Sequence, residues 1–136
     1  MLTGSCLCRA VRYRIDGPVG HVSHCHCSQC RKAHGAAFAS YGHVRYADFS
    51  LLSGGNALAR YQASAHATRT FCRHCGSNLQ WCPSGNVEHF ALALGTLDDD
   101  PGIRPERHIF VSSKAPWYAI EDHLPQFAEY PAADQA

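Results

Sequence analysis

Eight cysteines and ten histidines stand out in a chain of 136 residues. The sharpest local pattern is Phe71-Cys72-Arg73-His74-Cys75-Gly76-Ser77. Two thiols separated by two residues let one tight turn aim both sulfurs at a single ion. The glycine after the second supplies the positive φ that such a turn favours. A thioredoxin-like redox pair is the competing chemistry, and it needs a βαβ setting that the flanking sequence does not suggest. Near the start lies Cys6-Leu7-Cys8. In an extended chain residues i and i+2 point to the same side, so both thiolates could meet one metal. Joined with Cys72 and Cys75 they complete a tetrahedral set for a structural zinc. The bland alternative is a pair of buried, inert thiols.

Cys25-His26-Cys27-Ser28-Gln29-Cys30 places three cysteines within six residues. An extended i, i+2 pair followed by a turn into a helix lets all three sulfurs face one ion. Three protein ligands with an open fourth position is the pattern of a catalytic zinc. Two alternatives stand beside it. His24, His26 or His34 could close the site, or the loop could be metal-free with cysteines that pair reversibly. Cys82 is left over and reads as a small buried thiol. His43, His66, His89, His108 and His123 are scattered and read as structural or surface residues.

The elements that must position these groups are short. Gly17-Pro18, Gly54-Gly55-Asn56, Pro83-Ser84-Gly85-Asn86 and Asp98 to Gly102 mark turns. Between them, Ala10 to Ile15 alternates, with Val11, Tyr13 and Ile15 on one face and Arg12 and Arg14 on the other. Further strands are expected over Ala36–Tyr41, Ala57–Tyr61, Ala67–Phe71, Leu79–Cys82, His89–Leu94 and Ile109–Val111. Ser28 to Ala33 predicts one or two helical turns, with Gly35 as the stop. A short helical turn is expected between Pro116 and Tyr130. Many short strands with turn signals predict a mainly β domain of antiparallel strands.

Composition narrows the function classes. Hydrophobic residues at 46% and charged residues at 17% are globular values, which excludes a disordered tail protein. The length fits one domain spanning 1–136. The longest apolar stretch, Phe90 to Leu94, is far short of the ~20 residues that span a bilayer, so no membrane helix is expected. The start carries no basic segment followed by an apolar run, so a cytoplasmic setting is expected, where thiols stay reduced and clustered cysteines point to metal. Net charge is only +1, which argues against nucleic acid as a partner. The front is basic and the tail acidic, so a small anion could still be drawn to the front half.

Several motifs in order carry a resemblance. Gly4-x-Cys6-x-Cys8-x-x-Val11-x-Tyr13 is followed by Cys25-x-Cys27-x-x-Cys30-Arg31-Lys32. Arg69-x-Phe71-Cys72-x-x-Cys75-Gly76-Ser77-x-Leu79 comes next, and Arg107-His-Ile-Phe-Val-Ser-Ser-Lys114-Ala-Pro-Trp117 closes the pattern. Together, from Gly4 to about Phe127, they resemble the glutathione-dependent formaldehyde-activating enzyme family. The resemblance implies a centromere protein V-like, zinc-binding β-tent fold. It implies a structural zinc at Cys6, Cys8, Cys72 and Cys75 and a second zinc at Cys25, Cys27 and Cys30. It also implies the joining of formaldehyde to glutathione, a carbon–sulfur lyase reaction run in reverse. The family-like region ends near 127, and the tail 128–136 is expected to be loosely ordered.

The chemistry of three thiolates agrees with that implication. Zinc so held carries a site charge of about −1, which weakens its Lewis acidity but still lets it bind and deprotonate a thiol. A zinc-held thiolate could attack an aldehyde, or leave a hemithioacetal in reverse. Thiol chemistry therefore suits the cluster better than hydrolysis. Glutathione carries carboxylates, for which Arg31 and Lys32, or Arg9, Arg12 or Arg14, are candidate partners. A proton shuttle would come from His24, His26 or His34. The alternative function is a non-catalytic zinc protein that binds glutathione or another small thiol.

Overall fold

A computed structural model describes residues 1–131. Among these the chain is mainly β. Its strands are β1 (Leu2–Ser5), β2 (Arg12–Ile15), β3 (Gly20–Cys25), β4 (Ala39–Arg45), β5 (Phe49–Ser53), β6 (Leu58–Ser64), β7 (Ala67–Cys72), β8 (Asn78–Pro83), β9 (His89–Ala93) and β10 (Arg107–Ile109). One α-helix, α1 (Ser28–His34), lies between β3 and β4. The chain groups into two compact units, one of Met1–Gly20 with Gly42–Ile103, the other of His21–Tyr41 with the chain from Arg104.

In the first unit β2 is the centre of a three-stranded antiparallel sheet, flanked by β1 and β5. The alternation read along Val11, Tyr13 and Ile15 is the buried face, while Arg12 stays exposed. Burying those three side chains contributes on the order of 2 kcal/mol each. The Tyr13 ring stacks on Phe49 at 5.2 Å, and Phe49 meets Phe90 edge-on at 5.1 Å. Burial pushes the Tyr13 phenol up to about 12, so it is a hydrogen-bond donor at neutral pH. Thr96 Oγ1 gives its single hydrogen to the Ala93 carbonyl at 2.8 Å. Tyr13 Oη therefore donates to Thr96 Oγ1, at 2.6 Å. The same unit carries an antiparallel run in the order β9, β8, β7, β6. Strand β9 is buried along Phe90, Ala91, Leu92 and Ala93, so it has no solvent face and no alternation.

The second unit has β10 and β3 as neighbours, with the first residues of β4, Ala39–Tyr41, beside β3. Strand β10 lies parallel to β3, with Arg107 opposite Ser23, His108 opposite His24 and Ile109 opposite Cys25. Its other edge is held by the segment near Pro125. His108 N–H donates to the Pro125 carbonyl and Phe127 N–H to the His108 carbonyl, each at 2.9 Å. Helix α1, expected to make one or two turns, runs for seven residues and stops at Gly35.

Several expectations shift. The strand expected over Ala36–Tyr41 starts at Ala39, because Ala36 N–H still bonds the Arg31 carbonyl as the helix closes. Strands β1, β3 and β5 carried no clear alternation and were not anticipated. The parallel β10–β3 pair departs from an otherwise antiparallel expectation. No helical turn forms from Pro116 to Tyr130. A 3-10 turn sits earlier, at Val111–Ser113, and the later stretch is held by tertiary bonds instead. Of the tail expected to be loose, Ala128 and Glu129 accept bonds from Ser112 and Phe110 N–H groups, and Tyr130 packs edge-on against Phe110. Residues 132–136 lie outside the described residues.

Gly4 pairs with Leu97 across an isolated bridge, and a Cβ there would be driven into the Tyr13 phenol and the Thr96 carbonyl. Gly4→Ala is expected to cost about 1–3 kcal/mol as an overpacked site. Urea unfolding measures this. An unchanged midpoint would show that the ring can move aside.

Candidate metal centres

The first cage belongs to the first unit. Strand β7 ends on Cys72, and the chain turns back through Cys75 into β8. Gly76 N–H donates to the Cys72 carbonyl at 2.8 Å and Cys72 N–H to the Ser77 carbonyl at 3.0 Å, closing the knuckle. Gly76 has φ +80°, the left-handed conformation expected after the second cysteine. The other two sulfurs follow β1. Here the expected extended pair is a turn: Arg9 N–H donates to the Cys6 carbonyl at 3.1 Å and Cys6 N–H to the Val11 carbonyl at 3.0 Å. The turn brings both sulfurs round all the same. Leu7 N–H donates to the Ser77 hydroxyl at 2.9 Å, which ties the two arms of the cage together.

The sulfurs of Cys6, Cys8, Cys72 and Cys75 all lie within 4.8 Å of one another. Cys6 and Cys8 are 3.6 Å apart, and Cys8 and Cys72 are 3.8 Å apart. Tetrahedral zinc with Zn–S bonds of ~2.3 Å sets sulfurs ~3.8 Å apart, so the cage fits. Val11 N–H points at the Cys6 sulfur at 3.3 Å, a bond that suits a thiolate. Proton affinities within the set diverge. At Cys8 the Ala10 N–H works downward, but desolvation and the thiols of Cys6, Cys72 and Cys75 outweigh it and push the group up to about 11. At Cys75 desolvation works upward, but the Ser77 hydroxyl and N–H with the Cys8 N–H bring it down to about 5. Without a cation the group shares protons unequally. A divalent ion lets all four ionise.

The second cluster belongs to the second unit. Strand β3 ends on Cys25. Cys27 caps α1 in an extended conformation, with φ −62° and ψ 152°, and its sulfur accepts from Cys30 N–H at 3.3 Å. Cys30 sits in the first helical turn and is buried. These three sulfurs also lie within 4.8 Å of one another, and among the described residues no histidine or carboxylate joins them. The thiols of Cys25 and Cys30 hold Cys27 far below the usual thiol range, against the upward push of burial, with help from the N–H groups of Cys30 and Gln29. Cys25 is pushed up by the same sulfur neighbours and by burial. The donor sets fit a thiophilic metal ion, and zinc is one that such thiolates can hold.

Each histidine considered as a fourth ligand has one ring nitrogen engaged elsewhere. His24 Nδ1 meets the Ser40 hydroxyl at 2.8 Å, and His34 Nε2 meets the Tyr41 hydroxyl at 2.9 Å. His26 Nε2 meets His108 Nδ1 at 2.8 Å. Burial lowers His24, and burial followed by the neighbouring His108 brings His26 down to about 4. Arg31 and Lys32 follow Cys30 on α1. Arg31 Nε donates to the Ser113 carbonyl at 3.2 Å, and Lys32 is exposed. Lys114 Nζ donates to the carbonyls of Ala115 and Tyr118, which fixes the loop after the 3-10 turn. His108, read as a scattered histidine, is fully buried beside the cluster's His26. Its position within Arg107-His-Ile-Phe was the available signal. Cys82 is half-buried, and burial raises its thiol. Among the described residues no helix is long and apolar enough to cross a membrane.

Known proteins match this arrangement. The family model described as glutathione-dependent formaldehyde-activating enzyme matches residues 1–113. A protein of Halomonas elongata named putative glutathione-dependent formaldehyde-activating enzyme is 33% identical, over 96% of this chain and 89% of its own. A Schizosaccharomyces pombe protein named as an uncharacterized lyase is 29% identical over 91% of this chain and 88% of its own. A Rhodobacter sphaeroides protein of known crystal structure superposes with a TM-score of 0.60 at 26% identity, covering 76% of this chain and 91% of that one. The matched region contains both cysteine sets, and the chain belongs to the glutathione-dependent formaldehyde-activating enzyme family.

Proposed function

We propose that this chain is a zinc-dependent carbon–sulfur lyase-type enzyme acting on the S-hydroxymethyl adduct of glutathione or a similar thiol adduct. The observation that carries the reading is the three-sulfur cluster of Cys25, Cys27 and Cys30, joined by no fourth protein ligand among the described residues. The four-sulfur cage holds the structural ion. The three-sulfur cluster holds the catalytic one. A zinc ion bound there supplies a position that keeps an incoming thiol as its thiolate.

The chain's own residues do the rest. Cys25, Cys27 and Cys30 present their sulfurs from a strand end and a helix start, so their positions are set before substrate arrives. Arg31 and Lys32 offer cationic groups on the same short helix for the carboxylates of glutathione, and the Ser113 carbonyl steadies the Arg31 stem. In the joining direction a bond forms between the thiol sulfur and the aldehyde carbon. The thiol proton ends on the new hydroxyl, and the lyase direction reverses both changes. All eight thiols are free, which suits a reducing cytoplasm.

Metal analysis of protein purified under reducing conditions is expected to find two zinc ions per chain. Cys72→Ala should remove one zinc and destabilise the fold, as loss of a structural metal does. Cys27→Ala should keep the fold and abolish turnover of glutathione with formaldehyde. Equal unfolding by both variants would overturn the division into a structural and a catalytic centre. Lys32→Ala is expected to raise KM for glutathione about tenfold with kcat little changed, the effect of losing about 1.4 kcal/mol of charge-assisted binding. Steady-state kinetics over glutathione concentration measures it. Tight glutathione binding by calorimetry with no turnover in either direction would leave a binding protein and remove the enzyme reading.

A further inference from the structure

A chain of polar groups runs from the surface to the residue between the first two sulfurs of the three-cysteine cluster. Asp122 is an exposed carboxylate, with 43% of its side chain accessible. Its two oxygens lie 3.1 and 2.9 Å from His108 Nε2. Leu124 N–H donates to the same carboxylate at 3.0 Å. His108 is 1% exposed, and its Nδ1 lies 2.8 Å from Nε2 of His26, which is 0% exposed. His26 Nδ1 is buried with no hydrogen-bond partner.

Hydrogen-bond accounting gives this chain a direction. An ionised carboxylate only accepts, so His108 Nε2 carries the proton that Asp122 receives. Neutral His108 then offers a bare Nδ1, and His26 must donate from Nε2. His26 Nδ1 is left as a lone pair. The reverse order would leave His26 with an N–H at Nδ1 buried among rings and no acceptor for it, which is the costlier orphan. Phe38 and Tyr118 pack around the His26 ring at 5.0 and 6.2 Å, so it has no room to turn over freely. The backbone is tied to the same place. His26 N–H donates to the Ile109 carbonyl at 2.9 Å, one residue from His108.

We propose that Asp122, acting through His108, is a positioning residue that fixes His26 as its Nε2–H tautomer and so sets the pose of the Cys25-His26-Cys27 segment for its metal. The inference rests on reading the three-sulfur cluster as a zinc site. Groups behind metal ligands that fix their orientation change metal affinity about 10–100-fold when removed. Here the brace works one residue away from two ligands at once, through the ring they flank.

The test uses zinc-loaded protein with ¹⁵N-labelled histidine, which reports tautomers directly by NMR. The wild type should show His26 as a single Nε2–H tautomer. Asp122→Ala, a surface change, should give a mixture of tautomers and weaken zinc at the three-sulfur site about tenfold in chelator competition, with the four-sulfur zinc unchanged. Asp122→Glu, which restores a carboxylate, should restore both. An Nδ1–H tautomer in the wild type, or an Asp122→Ala spectrum identical to it, overturns the proposal. Parallel weakening of both zincs also overturns it, because that marks a general loosening. Wild-type protein that takes up one zinc defeats the two-zinc reading separately, and the tautomer spectra then decide the positioning role alone.

Discussion

Thiolates held less than 4 Å apart repel one another. At the 3.6 and 3.8 Å separations among Cys6, Cys8 and Cys72 each charged group works against its neighbour's ionisation. Four such groups resist ionising together, and the thiols around Cys8 push its proton affinity up while hydrogen bonds from Ser77 and the Cys8 N–H lower that of Cys75. A divalent cation removes that resistance in one step. An ion held there would close a stretch of 64 residues between Cys8 and Cys72, a long loop whose closure entropy its binding would have to offset. The turn after β1 and the knuckle after β7 are thus two halves of one device. Gly4 and Tyr13 pack just upstream of it, and Ser77 joins its arms.

Each compact unit combines two separate stretches of chain, and each has its own clasp. In the first unit the clasp is the four-sulfur cage. In the second it is backbone pairing of β3 with β10, reinforced by the ring contact between His26 and His108. Under the proposed function the first cluster would give strength and the second chemistry. A metal that bears the fold is best saturated by protein, and a metal that meets substrate needs a position to spare.

Electrostatics around the three-sulfur cluster follows the same division. The cluster is anionic when metal-bound, while Arg31 and Lys32 follow directly on α1. Under the proposed function, a substrate with both a thiol and carboxylates would meet both features. His24 and His26 are lowered by burial and by neighbouring His108, so they add no positive charge there at neutral pH. Asp122 is held below the ordinary carboxylate range, chiefly by its bond with His108, and stays an acceptor over the neutral range.

Much of this was legible in residue order. Spacing alone marks Cys72-x-x-Cys75 with its following glycine, because a four-residue knuckle is a local object. The period of two along Val11, Tyr13 and Ile15 marks β2, because one face of that strand is buried and the other wet. Ser28 to Gly35 marks the helix, because its cap and stop are local. The limits of local reading are equally physical. Strand β9 is buried on both sides and shows no alternation. Strand β3 has β10, some 84 residues on, as one of its two neighbours. Cys6 and Cys8 were expected in an extended chain and lie in a turn, because the Val11 carbonyl and the Cys6 N–H close it. Residue types and spacings determined which sulfurs could bind metal. Only tertiary structure decided that His24, His26 and His34 each spend one ring nitrogen on Ser40, His108 and Tyr41, since those partners are brought near by packing and no spacing rule records them.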